Sequence, residues 1–303
     1  MRILISTQMM IHDQDRFGKE LSKYGYEVDF IMNNQFLSEA ECLELNPVYD
    51  GWIAGDDQIT KAVIDHFLPK LKVVSKWGTG VDSIDLEHAK KSGLHIANSP
   101  GAFKDAVGEL AIAYLLILTR GVLDTHESVK AGMWPKRRYE DISNLTIGVI
   151  GMGAIGHGVA TRVQSLGGAV IYSDPYSLDE DFTKVELNEL LKNSDAIVVT
   201  CNLNDSTYHL LNSSAFSLCK KSPYLINVSR GPIVDEEALI LALKNCVLSG
   251  AALDVYEVEP LSESSPLREF NNVIFGSHNA NNTSDAVKFV HMNTIKNLVS
   301  ALS

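Results

Sequence analysis

The sequence predicts a doubly wound α/β fold in two domains, and three observations carry that expectation. Short β-rich runs alternate with helical patterns almost throughout, as parallel sheets with crossover helices require. One run, Leu145–Ile150, leads straight into the glycine turn Gly151-Met-Gly153-Ala-Ile-Gly156. The chain has 303 residues, beyond the size at which one hydrophobic core usually stops growing.

In the first hundred residues the expected strands are Ile3–Ser6, Val28–Ile31, Gly51–Ala54, Val73–Ser75 and His95–Ala97. Amphipathic segments such as Asp15–Lys23 and Thr60–Phe67 separate them. The turn Asn98-Ser-Pro-Gly101 breaks this pattern, and a helix follows from about Phe103 to Thr119. Val107, Leu110, Ala111, Ile112, Tyr114, Leu115, Leu116 and Leu118 leave it little polar surface. Such a helix must be covered from several sides, either within one chain or by a second copy, and a dimer contact is favoured.

A second α/β series starts at Leu145. Its expected strands are Leu145–Ile150, Val170–Ser173, Ala196–Thr200, Tyr224–Val228, Gly250–Val255 and Val273–Phe275, with helices between most of them, for example Asp235–Lys244. The last helical stretch, Ser284–Leu302, comes after this series has ended and is a candidate to return to the first domain.

Composition narrows the function classes. Hydrophobic residues make up 45% and charged residues 21% of the chain, too apolar for disorder. The formal net charge of -12 repels phosphate backbones and argues against nucleic acid as a partner. No apolar run has the length of a membrane-spanning helix, and the start MRILISTQMM has no cleavage site. A cytoplasmic protein with no membrane partner is the expectation. Cys42, Cys201, Cys219 and Cys246 show no CxxC spacing, so reduced thiols are expected rather than disulfides or a metal.

The glycine turn defines a candidate cofactor site. Its first glycine permits a tight bend, the second lets a pyrophosphate approach the backbone, and the third lets helix pack on strand. Ile155, Val159, Val163 and Leu166 mark that helix, whose amino terminus favours a phosphate anion. The next strand ends at Asp174, 23 residues beyond Gly151. A carboxylate there can accept hydrogen bonds from both adenine-ribose hydroxyls and would repel a 2′-phosphate. Pro175-Tyr176-Ser177 offers no cation to hold one. NAD is therefore favoured over NADP; the structural alternative is an Asp opening a surface turn before proline.

Ligands of open α/β sheets gather at the carboxyl ends of the strands. After the strands of the second series come the glycine loop, Asp174, Thr200-Cys201-Asn202, Ser229-Arg230-Gly231, Asp254 with Glu257 and Glu259, and His278. An arginine can grip a carboxylate bidentately and polarise the neighbouring carbonyl. A histidine can exchange a proton with the carbonyl oxygen, and a glutamate can orient the ring and favour its protonated form. Single residues of these types near strand ends are more often structural; their convergence on a cofactor edge is what makes Arg230, Glu259 and His278 candidates for reversible oxidation of an anionic alcohol.

Six segments resemble the D-isomer-specific 2-hydroxyacid dehydrogenases: KWGTGVDSIDL from Lys76, NSPGAFKDAVGEL from Asn98, GVIGMGAIG from Gly148, SRGPIVDEEALILAL from Ser229, GAALDVYEVEP from Gly250 and SHNANNT from Ser277. The resemblance runs from about Ala54 to the carboxyl terminus. It implies a Rossmann dinucleotide-binding domain, residues 100–277, inserted into a smaller flavodoxin-like parallel α/β substrate domain made of residues 1–99 and 278–303, the two closing over a cleft. It also implies Arg230, Glu259 and His278 as catalytic residues, with Gly78, Thr79, Gly80 and Arg230 binding substrate. The NAD contacts it implies are Gly151, Gly153, Ala154, Ile155, Gly156, Asp174, Cys201, Val228, Ser229, Asp254 and Ala280, with Asp254 facing the nicotinamide amide. A homodimer through the nucleotide domain, a small 2-hydroxy or 2-oxo acid as substrate, and no metal complete the expectation.

Departures from the family pattern bear on the substrate. Gly55–Thr60 carries Asp56 and Asp57 where phosphoglycerate-using relatives often present a basic residue, and these would repel a phosphate if they face the cleft. Lys76, Lys104 and the Lys136-Arg137-Arg138 cluster point the other way, although a solvated loop is the simpler account of that cluster. Asn279, Asn281 and Asn282 follow His278 where small residues are usual; reading an extra hydroxyl on the substrate and being tolerated loop residues are equal alternatives. A phosphoglycerate, glycerate or related polyhydroxy acid stays open. The competing class is a dinucleotide-sensing, corepressor-like regulator on the same fold. Formate-oxidising relatives lack the glutamate, so Glu259 disfavours that route.

Overall fold

The computed structural model describes residues 1–303, which form two compact units, Met1–Ala102 with Thr283–Ser303 and Phe103–Asn282. The divisions fall a few residues beyond the expected 99/100 and 277/278. His278 therefore belongs to the second unit and not, as expected, to the first.

The first unit is built on a five-stranded parallel sheet: β1 (Arg2–Ile5), β2 (Glu27–Phe30), β3 (Gly51–Ala54), β4 (Val73–Lys76) and β5 (His95–Ala97), in the order β2-β1-β3-β4-β5. This is the flavodoxin-like order. Strands β3 and β4 are buried at every position, as apolar runs in a doubly covered parallel sheet require. The helix Ser284–Leu302 does return to this unit, packing on β3, β4 and β5. Its register is set by polar clamps. His291 Nε2 meets the Met9 carbonyl at 3.0 Å, the Ser75 hydroxyl donates to the Thr294 carbonyl at 2.8 Å, and Asn297 donates to the Asn98 carbonyl at 3.0 Å. Gly51 leaves the room that Leu298 and Leu302 occupy; a Cβ there would lie 2.7 Å from Leu298 Cδ1.

The second unit contains a seven-stranded parallel sheet: β6 (Thr146–Ile150), β7 (Ala169–Ser173), β8 (Thr183–Lys184), β9 (Ala196–Val199), β10 (Tyr224–Asn227), β11 (Gly250–Leu253) and β12 (Val273–Phe275). Its order, β12-β11-β10-β9-β6-β7-β8, is the doubly wound dinucleotide-binding order with one strand added beyond the sixth. From β6 the strand order runs outward both ways, to β7 and β8 on one side and to β9 and beyond on the other, so a crevice opens at the carboxyl ends of β6 and β9. The helix Lys104–Thr119 packs on β10, β11 and the helix Ala154–Ser165. Its close approach to the latter occurs at Gly108 and Gly158, where Arg162 also pairs with Asp105 at 2.8 Å. Ala111, Tyr114, Leu115 and Leu118 are buried within the unit, while Leu110, Ile112, Leu116 and Ile117 are half-exposed. No single helix is long and apolar enough to cross a membrane, and all four cysteines are free thiols.

Candidate active site

The crevice at the β6/β9 switch holds a cavity of about 380 Å³ bounded by the glycine loop, Asp174-Pro175-Tyr176, Leu187, Thr200-Cys201-Asn202 and Leu210. The three glycines act by different means. Gly151 has φ +90°, a left-handed conformation that other residues rarely adopt. A Cβ on Gly156 would lie 2.0 Å from the Gly151 carbonyl oxygen, so the helix could not start so close to the turn. A Cβ on Gly153 would meet no protein atom within 4 Å. Gly153 lines the cavity, and the open space at its Cβ position suits the close approach of a ligand to the backbone. Ala154 and Ile155 open the helix at this point.

Asp174 closes the crevice. One of its oxygens accepts from the Met152 amide at 2.7 Å; the other accepts from the amides of Tyr176 at 2.7 Å and Ser177 at 3.0 Å. Cys201 forms the opposite wall, its backbone so near Gly151 that a Cβ there would lie 2.5 Å away. Burial pushes the Cys201 thiol up to about 11, so it stands as an un-ionised wall residue. The Ser229 hydroxyl donates to the Cys201 carbonyl, which joins the ends of β9 and β10; Val228 is buried beneath them.

Further along the same sheet edge stand Arg230, Glu259 and His278. Arg230 caps a short 3-10 helix, Gly231–Ile233, and Asn227 Nδ2 holds its carbonyl at 3.0 Å. Gly231 permits the backbone to pass against the next loop, since a Cβ there would lie 1.8 Å from the Tyr256 carbonyl oxygen. That next loop carries Glu259, which accepts from the Tyr256 amide at 3.0 Å through Oε1. Its Oε2 lies 2.8 Å from His278 Nδ1. Both side chains are mostly buried, 15% and 24% exposed, so the pair is weakly screened.

The turn at His278 has φ +53°, unfavourable for a residue with a side chain. Asp254 holds it. Its carbonyl accepts from the His278 amide at 2.7 Å, and its carboxylate accepts from the amides of Asn279 at 3.2 Å and Ala280 at 2.8 Å. Burial, with the Asp254 charge second, pushes the Tyr114 hydroxyl well above the ordinary phenol range. It therefore stays protonated and donates to Asp254 at 3.4 Å. The structural duty of Asp254, and the parts of Tyr114 and Asn227, are not legible in strand-end spacing, because each depends on groups that only the fold brings close.

The first unit presents Gly78-Thr79-Gly80 at the carboxyl end of β4. Two side contacts brace this loop: Thr79 Oγ1 donates to the Ser99 carbonyl at 3.0 Å, and Asn98 Nδ2 donates to the Thr79 carbonyl at 2.6 Å. The two neighbouring aspartates divide. Asp57 is fully buried and accepts from the Ser6 hydroxyl and from the amides of Leu37 and Gly55, so it is a structural residue and repels no ligand. Asp56 meets Lys76 Nζ at 2.8 Å, and Lys76 is buried. Of the basic cluster, Arg137 pairs with Asp124. Lys104 packs its stem near Gly158. Asn279 and Asn282 bond each other at 2.7 Å.

A seven-stranded doubly wound sheet with a crevice at its switch point is the architecture of a dinucleotide-binding protein, and a histidine–glutamate pair on the same edge suits proton exchange. The family described as "D-isomer specific 2-hydroxyacid dehydrogenase, NAD binding domain" matches residues 112–280. A glyoxylate reductase of Thermofilum pendens is 36% identical over 258 residues, covering 81% of this chain and 76% of that protein. A D-3-phosphoglycerate dehydrogenase of Synechocystis is 33% identical over 294 residues, covering 94% of this chain and 52% of that protein. The crystal structure of a D-lactate dehydrogenase from Aquifex aeolicus complexed with NAD and lactic acid superposes with a TM-score of 0.88 at 26% identity, covering 99% and 95% of the two chains. The chain belongs to the D-isomer-specific 2-hydroxyacid dehydrogenase family. It is an NAD-dependent oxidoreductase that interconverts a D-2-hydroxy acid and a 2-oxo acid.

Proposed function

We propose that Arg230, Glu259 and His278 carry this reaction on a small 2-oxo acid without a phosphate. The 2.8 Å contact between Glu259 and His278 Nδ1 carries the reading. The carboxylate on Nδ1 fixes the orientation of the ring, which is what a group that exchanges a proton with substrate needs. In the reductive direction His278 delivers a proton to the substrate's carbonyl oxygen; in the oxidative direction it removes one. Arg230 grips the substrate carboxylate and polarises the carbonyl; in the first unit, the family resemblance assigns substrate binding to Gly78, Thr79 and Gly80. The bound dinucleotide supplies or accepts the hydride at the carbonyl carbon. Gly151, Gly153, Ala154, Ile155 and Gly156 would hold its pyrophosphate and Asp174 its adenine ribose, while Cys201, Val228, Ser229, Asp254 and Ala280 would be its further contacts.

The pairing of buried Lys76 with Asp56 supports an unphosphorylated substrate, since that cation is already balanced. Arg230→Ala is expected to lower kcat/KM by roughly 10²- to 10³-fold, the usual effect of removing one charged donor to the reacting group. NADH binding should stay near normal. A variant with near-normal kcat/KM on the best 2-oxo acid, found by assaying glyoxylate, hydroxypyruvate, phosphohydroxypyruvate and 2-oxoglutarate, would show that Arg230 has no such role.

The enzyme is proposed to work as a cytoplasmic homodimer. Val122, Leu123 and Val129 on the helix Val122–Lys130, with Met133 and Trp134 after it, expose apolar surface beside the half-exposed face of Lys104–Thr119, and Trp134 is 76% exposed. Sedimentation at micromolar concentration should give a dimer, and Trp134→Glu should weaken it. A monomer at all concentrations would remove the proposal.

A further inference from the structure

A second histidine–glutamate pair grips the loop that carries Glu259, and the active-site chemistry does not use it. His209 Nε2 hydrogen-bonds the Glu257 carboxylate, and His209 Nδ1 lies 4.0 Å from Asp235. Glu257 stands two residues before Glu259. Its backbone amide is held by the Glu236 carboxylate, so both side chain and main chain of Glu257 are fixed. The same histidine reaches the Arg230 loop through its main chain, donating its amide to the Pro232 carbonyl at 2.8 Å. Asn212 Nδ2 holds the His209 carbonyl at 3.0 Å, and the Tyr208 ring stacks on the imidazole at 4.1 Å.

The backbone at His209 has φ +48°, one of four such non-glycine residues; His278, at +53°, is another. Strained conformations persist where the surroundings over-determine them, and they cluster at functional sites. Global stability gives little reason to keep this one. His209 and Glu257 are 31% and 29% exposed, and ion pairs so accessible to solvent add little to folding. What the strain secures is local: Val255–Glu259 is held between two histidines, with Gly231 pressed against its Tyr256 carbonyl.

We propose that His209 is a positioning residue that, through Glu257, fixes the Glu259 loop against the Arg230 loop and so sets the Glu259–His278 pair for proton transfer. The proposal rests on the catalytic reading above. It predicts a defect in turnover rather than in binding, because His209 orients Glu259 without meeting substrate.

The test compares His209→Phe, which keeps a ring against Tyr208 but loses the donor, with His209→Gln, which returns an N–H donor. His209→Phe is expected to lower kcat about 10- to 100-fold, with KM and the NADH Kd changed less than about threefold. His209→Gln should recover most of that loss. Glu257→Gln should resemble His209→Phe, and the double variant should be no worse than either single. A kcat within about twofold of wild type in His209→Phe, equal losses in Phe and Gln, or additive losses in the double variant would each overturn the proposal. A readout independent of turnover is the NMR signal of the His278 Nδ1 proton in its bond to Glu259. It should weaken or shift in His209→Phe and return in His209→Gln, and an unchanged signal in the folded Phe variant would also overturn the proposal. A wild-type protein inactive on every 2-oxo acid would instead remove the catalytic reading, and the NMR comparison would still decide whether His209 sets the pair.

Discussion

The Asp174 carboxylate is fixed at the end of β7 by three backbone amides and lines the crevice beside the glycine loop. Removing it should leave the fold intact and change which dinucleotide is preferred. Asp174→Ala is expected to narrow the preference for NADH over NADPH by about 10-fold or more, the value of one or two hydrogen bonds to a charged acceptor. An unchanged ratio of kcat/KM for the two cofactors would contradict the ribose assignment. Asp174 is legible in the sequence because it closes a strand 23 residues beyond Gly151, the first residue of the glycine turn. Arg230, Glu259 and His278 are legible for a similar reason, each following a strand of the same sheet. Asp57 is not. Its position beside Asp56 suggests a repulsive pair, but strand-end polarity alone does not say which of two adjacent carboxylates turns inward. Here the Ser6 hydroxyl and two loop amides draw Asp57 into the core, which leaves Asp56 to Lys76.

At the scale of elements, the helix Ser284–Leu302 shows how far periodicity reaches. Its length and limits follow from the pattern of Val290, Thr294, Ile295, Leu298 and Leu302, all buried against the first unit. The buried histidine within it carries a consequence that periodicity does not reveal. His291 packs against Phe17 and Trp77 and bonds the Met9 carbonyl, with Asp13, Arg16 and Glu20 as the nearby charges. Burial holds its titration below the ordinary imidazole value, while the Met9 bond opposes the shift. The unfolded chain therefore takes up this proton first as pH falls, so the contribution of the neutral ring to stability is present above about pH 6.5 and is lost below it. Thermal unfolding from about pH 8 to about pH 5 should show a steeper loss for wild type than for His291→Gln, which keeps a donor to Met9 but does not titrate. Parallel curves would contradict this role. Other elements escape the sequence for simple reasons. Thr183–Lys184 is a two-residue exposed edge strand with no apolar alternation. Strand ends such as Thr200, Val228 and Val255 read as β-rich but leave the ladder one or two residues early, because there the backbone turns into the loops at the carboxyl edge of the sheet.

For the whole molecule, the informative feature is that one sheet edge gathers the crevice and the Glu259–His278 pair. The strand order forces a crevice between β6 and β9, and β10, β11 and β12 carry Arg230, Glu259 and His278 successively along the same edge. The sheet architecture and the family are readable because glycine, acidic and basic residues recur at strand ends with fixed spacing. The braces are harder to read: Asp254 under the His278 turn, Gly231 against the Tyr256 carbonyl, and His209 on Glu257 depend on loops far apart in sequence. The most direct test of the account is NADH oxidation by the purified protein with a panel of 2-oxo acids, run beside His278→Ala. Turnover by wild type, with a loss of roughly 10²- to 10⁴-fold in the variant and unchanged NADH binding, is the predicted result. Equal turnover by both proteins would contradict the assignment of His278 as the proton donor.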